Sequence, residues 1–291
     1  MIRRGLLVVG LAGCGSSADP DAPQVVGATL TVDGALTGFS GLDVDERGVF
    51  WAVAERGASF VLFDPDVLEE ARVMPILGVP DGMDLESVAL LGDRRVAVGT
   101  ESRGARAVDS VLLVEAASRT AEVTGSIPVA WTLWGFDEAP DNQGVEGLCA
   151  ADGVLLMAGE PVRVEGGGRV APIGRYDPRR DWIPYLLPLT SDEGKVSGLW
   201  CRTEDDVLEV WAIERHYGTV RLLRFEVPAR GDGGALAAPV VVKDLARSFP
   251  RGSFPLGIPN LEGLVVHGGR GYMMSDASGG GSNLLVEVSL R

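Results

Sequence analysis

Histidine and cysteine are scarce in this chain, whose 291 residues include two His and three Cys. The sequence also has no Gly-Lys-Ser/Thr phosphate loop, no Gly-x-Ser-x-Gly segment and no His-rich cluster. These absences exclude a P-loop nucleotidase, a hydrolase with its serine on a strand-to-helix elbow, and a histidine-bound zinc centre. A Ser-His-Asp triad would need His216 or His267, and no motif marks a nucleophilic serine near either one.

Positive charge is also in short supply, because 26 Lys and Arg face 41 Asp and Glu and the formal net charge is −15. Such a surface repels phosphate backbones, so the composition excludes nucleic acid as a partner. An excess of carboxylates on this scale also leads us to expect that some of them gather around cations.

Long hydrophobic runs and helical periodicity are missing as well. The apolar segments are short and are interrupted by the 40 glycines of the chain. Hydrophobic residues still make up 46% of the sequence, which is enough for a large core. Short apolar runs between glycine-rich turns predict an all-β protein.

The N-terminus predicts a processing signal that lies outside the fold. Arg3 and Arg4 precede an apolar stretch at 6–11, which is too short to span a bilayer as a helix. The next residues, Leu-Ala-Gly-Cys, resemble the lipobox of bacterial lipoproteins, which implies cleavage before Cys14 and lipidation of its thiol. The alternative is an ordinary secretory signal with a chance cysteine.

This signal divides the chain into three parts. They are a signal peptide (1–13), a lipidated cysteine with a flexible tether (14–23) and a folded domain (24–291). No acid follows Cys14 directly. The resemblance then implies a lipid-anchored protein of the bacterial cell envelope, held in the outer membrane and facing the periplasm or the exterior.

One sequence pattern occurs five times, at residues 39–55, 85–101, 145–160, 196–214 and 261–276. Each unit has Ser or Glu at its second place, then an apolar run, a turn, another apolar run and a final acid. The second-place residues are Ser40, Glu86, Glu146, Ser197 and Glu262. The final acids are Glu55, Glu101, Glu160, Glu214 and Asp276. Between 14 and 17 residues separate the two positions, which suits a β-hairpin with short strands.

Further β-like runs follow each hairpin, so each unit predicts about four strands. The units begin 46 to 65 residues apart, a spacing typical of β-propeller blades. The last unit has only three strands, and the segment at 25–32 can supply the fourth and close the ring. We therefore predict an all-β propeller with five four-stranded blades. Six blades would result if 102–145 or 215–259 contains a degenerate one.

The hairpin pattern places the final acids together at one mouth of the central channel, with Glu86, Glu146 and Glu262 beside them. Carboxylates this close raise one another's pKa, or need cations to stay ionised together. Oxygen ligands at such density favour Ca²⁺ or Mg²⁺. We predict a metal site made of Glu55, Glu101, Glu160, Glu214 and Asp276. The alternative is that these acids accept hydrogen bonds from backbone N–H groups where blades meet.

The order of the motifs resembles the phytase-like domain family called "esterase-like activity of phytase", over roughly residues 35–290. The matching segments are Ser40-Gly41-Leu42 with Glu55-Arg56-Gly57, Asp84-Leu85-Glu86 with Glu101-Ser102, Asn142-Gln143-Gly144-Val145-Glu146-Gly147 with Glu160, Glu214-Arg215, and Asn260-Leu261-Glu262-Gly263 with Ser275-Asp276. Three departures stand out: Glu55 replaces an Asp, Ser87 replaces a Gly, and Ala277-Ser278 replaces an Asp and an Asn.

The resemblance implies hydrolysis of a phosphoester, of phytase or phosphodiesterase type, with a phosphorylated small molecule as substrate. Divalent cations would clamp the phosphoryl oxygens and lower the pKa of a bound water. The catalytic residues that we predict are Glu86, Glu146, Glu262 and His216. The predicted substrate-binding residues are Arg56, Arg215, Asn142 and Asn260.

Several of these roles have structural alternatives. Arg56 and Arg215 could instead bond a blade junction, and His216 could be a polar residue at a strand end. At the level of the whole protein, two classes of function stay open. One is the metal-dependent phosphoesterase. The other is a lipid-anchored propeller that binds a ligand or a partner, with Ca²⁺ serving only the structure. We expect a monomer in both cases.

Cys149 and Cys201 lie on the first strands of neighbouring units, in an oxidising compartment. Their offsets from the start of the motif differ by one residue, which turns the two side chains to opposite sheet faces. We therefore predict two buried thiols rather than a disulfide.

Two long loops, 131–144 and 247–260, enter their units just before a Glu-Gly pair. We predict that they form the walls of the site, since long loops on a rigid scaffold commonly carry binding. Their apolar surface would come from Trp131, Trp134, Phe136, Phe249 and Phe254, and their positive charge from Arg247 and Arg251. The alternative is that the aromatic side chains plug the channel mouth as core.

Overall fold

The computed structural model describes residues 26–30, 37–103, 108–137, 142–249, 258–276 and 283–290. The predicted signal peptide, Cys14 and the tether lie outside these ranges, as do Arg251 and Phe254 of the second long loop. Within the described ranges the chain is built of β-strands and one short 3₁₀-helix, as the glycine-punctuated apolar runs predicted. No helix among these residues has the length and apolarity needed to cross a membrane.

The strands follow one another as antiparallel meanders. In chain order they are β1 (Val26–Leu30); β2 (Thr37–Val44), β3 (Phe50–Arg56), β4 (Ser59–Asp64) and β5 (Val67–Leu77); β6 (Met83–Gly92), β7 (Arg95–Ser102), β8 (Ser110–Ala116) and β9 (Ala121–Pro128); β10 (Val145–Ala151), β11 (Val154–Gly159), β12 (Arg163–Glu165), β13 (Gly168–Asp177) and β14 (Asp181–Pro188); β15 (Lys195–Glu204), β16 (Val207–His216), β17 (Thr219–Pro228), β18 (Gly234–Ala235) and β19 (Val240–Asp244); β20 (Asn260–His267), β21 (Arg270–Asp276) and β22 (Asn283–Ser289). The 3₁₀-helix, Trp131–Trp134, precedes β10.

Each meander begins with one of the hairpins that the repeat predicted, namely β2–β3, β6–β7, β10–β11, β15–β16 and β20–β21. Strand β1 pairs antiparallel with β22, so the N-terminal segment is the outer strand of the last meander. Outer strands β5 and β9 meet in a short parallel pairing, which joins two meanders into one eight-stranded sheet.

The first strands of the five hairpins contact one another in a closed cycle, in the order β2, β6, β10, β15, β20 and back to β2. A cycle of inner strands with meanders extending outward is a β-propeller-like architecture. The predicted propeller class is therefore confirmed. The apolar side chains between neighbouring meanders form the core, for example Phe39, Phe60, Leu112, Met157 and Ile173, all of which are buried.

A β-bulge interrupts every one of these hairpins near its second place. The pairing skips Gly41, Glu86, Glu146, Ser197 and Glu262. A bulge places one extra residue on one strand and changes the direction of its side chain. It therefore allows a residue within the first strand to face the centre of the ring while its neighbours keep facing the adjacent sheets.

The prediction of two buried thiols is wrong, because Cys149 and Cys201 form a disulfide between β10 and β15 with a Cα–Cα distance of 5.7 Å. The one-residue offset does turn the side chains to opposite faces of their own sheets. In a ring, however, one face of a sheet packs against the opposite face of the next sheet. Opposite faces of neighbouring sheets therefore meet, and the two sulfur atoms come together.

Candidate functional site

A cavity of about 250 Å³ lies where the first strands begin and the second strands end. Its acidic lining residues are Glu55, Glu86, Glu101, Glu146, Glu160, Glu262 and Asp276. Its cationic lining residues are Arg103, Lys195 and Arg215. Seven of the eight acids that the repeat singled out thus converge on one cavity, although they are far apart in sequence.

The repeat builds this cavity in three levels. The first level is the residue two places before the second-place residue of each unit, namely Gly38, Asp84, Gly144, Lys195 and Asn260. The second level is the bulge region itself, which supplies Glu86, Glu146 and Glu262. The third level lies across the hairpin from the first, as the pairs Asp84 with Glu101 and Asn260 with Asp276 show.

Glu214 is the exception, and its predicted place in the metal ring is wrong. Its carboxylate is fully buried and accepts hydrogen bonds from the backbone N–H of Thr190 (3.1 Å) and from the N–H and hydroxyl of Ser191 (2.9 and 2.6 Å). Glu214 thus has the structural role that was the alternative to metal binding, in which the acid accepts hydrogen bonds from backbone N–H groups.

The reason is one residue of register. Glu214 pairs with Val196, whereas Arg215 pairs with Lys195 at the third level of the cavity. Successive side chains of a strand point to opposite sides, so Arg215 faces the cavity and Glu214 faces away from it. The fourth unit therefore contributes two cations, Lys195 and Arg215, at levels where the other units carry acids, Asn or Gly.

All three cationic side chains are bonded to carboxylates. Arg103 lies 3.2 Å from the Glu55 carboxylate and also pairs with Asp84. Lys195 pairs with Glu160. Arg215 donates to Glu262 at 2.5 Å and lies 4.0 Å from Glu146. The cations offset part of the acidic charge, but seven carboxylates against three cations leave a formal excess of four negative charges.

Burial and mutual repulsion raise the pKa values of these carboxyls. Burial is the largest cause for Glu55, Glu101, Glu146 and Glu262, and it raises each pKa to about 7. Neighbouring carboxylates add to the rise, for example Asp276 beside Glu55 and Asp84 beside Glu101. The pKa of Glu86 is raised well above its ordinary value by the same two effects. Near neutral pH the cavity therefore holds carboxyl groups that readily exchange protons or bind cations.

Two groups of acids have ligand atoms close enough to bind one cation each. In each group, one carboxylate oxygen per residue lies within 4.8 Å of the other two. The groups are Glu55, Asp84 and Glu86, and Glu101, Glu146 and Glu160. A set made only of carboxylate oxygens fits Ca²⁺ or Mg²⁺, because hard cations prefer oxygen ligands. A divalent cation would also offset the repulsion between carboxylates that contributes to the raised pKa values.

The amide and imidazole side chains predicted for the site also lie at the cavity. Asn142 and Asn260 both line it, and the Asn260 amide donates to Glu262 (2.8 Å) and Asp276 (3.3 Å). His216 is at the rim, with Nδ1 3.1 Å from the carboxylate of Glu193. The hydroxyl of Ser40 donates to Glu262 at 3.0 Å, so the second-place serine of the first unit positions a cavity acid.

Arg56 does not belong to the cavity, contrary to its predicted role in substrate binding. Its side chain is 57% exposed and lies 3.8 Å from Glu55 at the nearest approach. The alternation of side chains along β3 explains this, because Glu55 faces the cavity and the next residue points away from it.

The aromatic side chains of the first long loop are core, and the prediction that they form cavity walls is wrong. Trp131 and Trp134 are buried in the 3₁₀-helix. The Trp131 indole N–H donates to Asp109 at 2.7 Å, and the Trp134 N–H donates to the carbonyl of Ile173 at 3.1 Å. Phe136 packs against the same apolar cluster. Phe249 of the second loop is buried too.

Sequence reasoning missed three charged residues of the site: Asp84, which belongs to one of the two groups of acids that could bind a cation, and Lys195 and Arg103, which line the cavity. A signal for the first two exists, because both stand two places before a bulge residue, as Asn260 does. Arg103 follows the end of β7 and has no counterpart in the repeat, so no pattern could have revealed it. Tyr217 at the rim was missed for the same reason, whereas Ile258 and Pro259 belong to the second long loop, which was predicted to form a wall of the site.

Comparisons with known proteins bear on family and fold. The family model described as "Phytase-like: Esterase-like activity of phytase" matches residues 34–277. No curated protein matches the chain.

Solved structures of low identity resemble the fold. A "putative glycoside hydrolase" from Parabacteroides distasonis is 13% identical, with a TM-score of 0.53 and coverage of 88% of this chain and 87% of that one. A "putative glycosidase" from Bacteroides thetaiotaomicron is 15% identical, with a TM-score of 0.51 and coverage of 87% and 86%. The aldose sugar dehydrogenase of Streptomyces coelicolor, in its PQQ-bound form, is 15% identical, with a TM-score of 0.49 and coverage of 92% and 99%. At such identities the likeness concerns the fold alone.

Proposed function

Because the chain belongs to the phytase-like family described as "esterase-like activity of phytase", we propose that it is a divalent-cation-dependent hydrolase of a phosphoester. One observation carries the proposal: seven carboxylates and three cationic side chains line a single cavity of the protein. Carboxylates supply the ligands for divalent cations, and the cations with Arg215 supply the positive charge that a phosphoryl group requires.

The two sets of three acids, one containing Glu86 and the other containing Glu146, would hold the cations. When bound there, Ca²⁺ or Mg²⁺ would stabilise the charge on phosphoryl oxygens and lower the pKa of a water ligand. The protein's own contribution is to keep the carboxylates in place. Asn260 and Ser40 do this for Glu262 through hydrogen bonds, and Lys195 does it for Glu160 through an ion pair.

Arg215 is the residue that we propose for orienting the phosphoryl group. It is largely buried at the third level of the cavity, between Glu262 and Glu146. Its guanidinium has five donors in a fixed plane, and the Nε has no hydrogen-bond partner. Cations bound by the carboxylates would leave more of these donors to the phosphoryl oxygens.

Proton transfer is the role that we propose for Glu262, which belongs to neither group of cation-binding acids. Its pKa is raised to about 7, mainly by burial, so it can accept or donate a proton near neutral pH. His216 at the rim is a second candidate for protonating a leaving group, and its contact with Glu193 would orient the ring.

The scaffold that we propose for this site is a propeller of five four-stranded blades, with β1 as the strand that closes the ring. The support is the closed cycle of five inner strands and the pairing of β1 with β22. For the N-terminus we propose lipidation of Cys14 and anchoring to the outer membrane, supported by the Leu-Ala-Gly-Cys sequence. The disulfide between Cys149 and Cys201 agrees with folding in an oxidising compartment.

The test is phosphate release from 4-nitrophenyl phosphate by the purified protein, with Ca²⁺, with Mg²⁺ and with EDTA. We expect activity that EDTA abolishes and that Glu262→Gln reduces by about 100-fold or more, since proton transfer contributes roughly that factor. Glu226→Gln is the matched control, because it makes the same chemical change at an exposed position of β17 outside the cavity. Activity that is equal in EDTA, or equal in Glu262→Gln and Glu226→Gln, would contradict the proposal.

A second candidate is a propeller that binds a ligand without catalysis and uses Ca²⁺ only for structure. The observation that favours it is the pairing of Arg103, Lys195 and Arg215 with cavity carboxylates, which already satisfies much of the site. The same assay distinguishes the two candidates. Calcium binding and a higher melting temperature without any phosphate release would favour the second.

A further inference from the structure

We propose that the substrate carries a single phosphoryl group joined to a flat aromatic group, and that the aromatic group lies against Tyr217. This inference rests on the proposed function and narrows it to a substrate class. It depends on three features of the described residues, namely the shape of the cavity rim, the position of the Tyr217 ring and the distribution of charge.

A hollow of about 710 Å³ adjoins the carboxylate cavity. Tyr217 and Ile258 line both of them, so the two spaces lie on either side of these residues. Phe249 also lines the hollow. A ligand whose phosphoryl group is bound among the carboxylates would therefore extend along Tyr217 toward apolar side chains.

The Tyr217 side chain is exposed to solvent and contacts the His216 ring. It follows directly on β16, and 62% of its surface is accessible. Its ring lies 4.4 Å from the His216 ring, centroid to centroid, and His216 in turn contacts Glu193. An aromatic ring held by a neighbour and open to solvent offers a surface on which another flat ring can stack, whereas a polyol has no flat face to match it.

The charges argue against a substrate with several phosphates. The cavity has an excess of acids, and each of its three cationic side chains is paired with a carboxylate. Cations held by the two sets of three acids would neutralise one phosphoryl group. Each additional phosphate would lie near the remaining carboxylates of the cavity and be repelled by them. The hollow has one Arg and one Asp in its lining, Arg247 and Asp244, so its formal charge is zero. An uncharged ring fits there better than a second phosphate.

The experiment compares phosphate release from phenyl phosphate, glycerol 2-phosphate and inositol hexakisphosphate. The variants are Tyr217→Ala, Tyr217→Phe and, as control, Leu133→Ala, which truncates an exposed apolar side chain away from both spaces. Stacking energies of aromatic pairs correspond to a KM increase of about 2- to 12-fold for phenyl phosphate in Tyr217→Ala, with kcat unchanged. We expect no change for glycerol 2-phosphate, and wild-type values for Tyr217→Phe and Leu133→Ala.

Equal changes for phenyl phosphate and glycerol 2-phosphate would overturn the inference while leaving the hydrolase proposal intact. So would hydrolysis of inositol hexakisphosphate with a kcat/KM at or above that of phenyl phosphate.

A binding measurement separates the two proposals. Calorimetry with phenylphosphonate and methylphosphonate, in the presence of Ca²⁺, requires no turnover. If no phosphoester is hydrolysed but phenylphosphonate binds more tightly than methylphosphonate and loses this advantage in Tyr217→Ala, the ligand class holds and the hydrolase fails. If the two phosphonates bind equally, or neither binds, the inference is wrong whatever the turnover.

Discussion

The replacement of Glu101 by Gln tests whether an ionised carboxylate in the cavity lowers the free energy of unfolding. Glu101 is 6% exposed, belongs to the group with Glu146 and Glu160, and has a pKa raised to about 7, chiefly by burial and then by Asp84. Glutamine has the same shape as the protonated acid but cannot ionise. The substitution therefore removes the charge with little change in packing.

The magnitude follows from the pKa values in the folded and unfolded states. Between the ordinary value of 4.5 and about 7, the folded protein binds more protons than the unfolded chain, so stability falls as the pH rises through this range. At about 1.36 kcal/mol per pH unit, ionised Glu101 costs the folded state about 3 kcal/mol above pH 7. Neighbouring carboxyls relax when one charge is removed, so we expect Glu101→Gln to gain about 1 to 3 kcal/mol at pH 8 in EDTA.

The assay is denaturant unfolding in EDTA at pH 5 and pH 8, with Glu226→Gln as the control for the same chemical change on the surface. At pH 5 we expect a gain below about 1 kcal/mol, because the pH is then only slightly above the ordinary pKa and Glu101 is still mostly protonated in the folded protein. The gain should grow with pH and level off above pH 7. A variant that is less stable than the wild type at pH 8, or a gain that is equal at both pH values, would refute the claim that ionised Glu101 destabilises the folded protein.

Three further outcomes are expected. Calcium at a hundredfold excess over its Kd should stabilise the wild type by about 2.7 kcal/mol, with a smaller gain in Glu101→Gln, whereas equal melting temperatures in Ca²⁺ and EDTA would count against a cation site. The double variant Cys149→Ser and Cys201→Ser should have a free energy of unfolding about 4 kcal/mol lower, because the disulfide closes a loop with a sequence separation of 52. An unchanged denaturation midpoint would show that the loop constraint contributes nothing to stability. Glu214→Ala should lower the free energy of unfolding by about 3 kcal/mol or more, because the hydrogen bonds from Thr190 and Ser191 are lost, but it should leave calcium affinity unchanged. A loss of calcium binding in the folded variant would show that Glu214 belongs to the cation site.

The repeated motif was sufficient to predict the hairpins and the approximate position of the acids. Each unit contains two apolar runs around a turn and an acid at the end, and these local features depend only on neighbouring residues. For this reason Glu55, Glu101, Glu160 and Asp276 were assigned to one end of the strands, and the structure has them at one cavity. The family, too, was predicted correctly from the order of the motifs.

The error at Glu214 concerns strand register, and the error at the first long loop concerns burial. The fourth hairpin is longer than the others, and counting to the last acid selected Glu214 although Arg215 occupies the equivalent place. A shift of one residue in a strand reverses the direction of the side chain, so this small error exchanged an acid for a cation. The large aromatic residues of the first loop were assigned to the surface, and Trp131 and Trp134 instead find buried hydrogen-bond acceptors.

The sequence by itself thus determined the all-β class, the repeated hairpins and the strand ends that carry acids, because alternation, turn residues and repeats are local properties of the chain. The tertiary structure alone decided which side chains meet across the ring. It paired Lys195 with Glu160, brought Arg103 to Glu55, and joined Cys149 to Cys201. These contacts connect different meanders, and they depend on the packing of opposite sheet faces and on bulges that redirect single side chains. Both are set by how neighbouring sheets fit together around the closed ring.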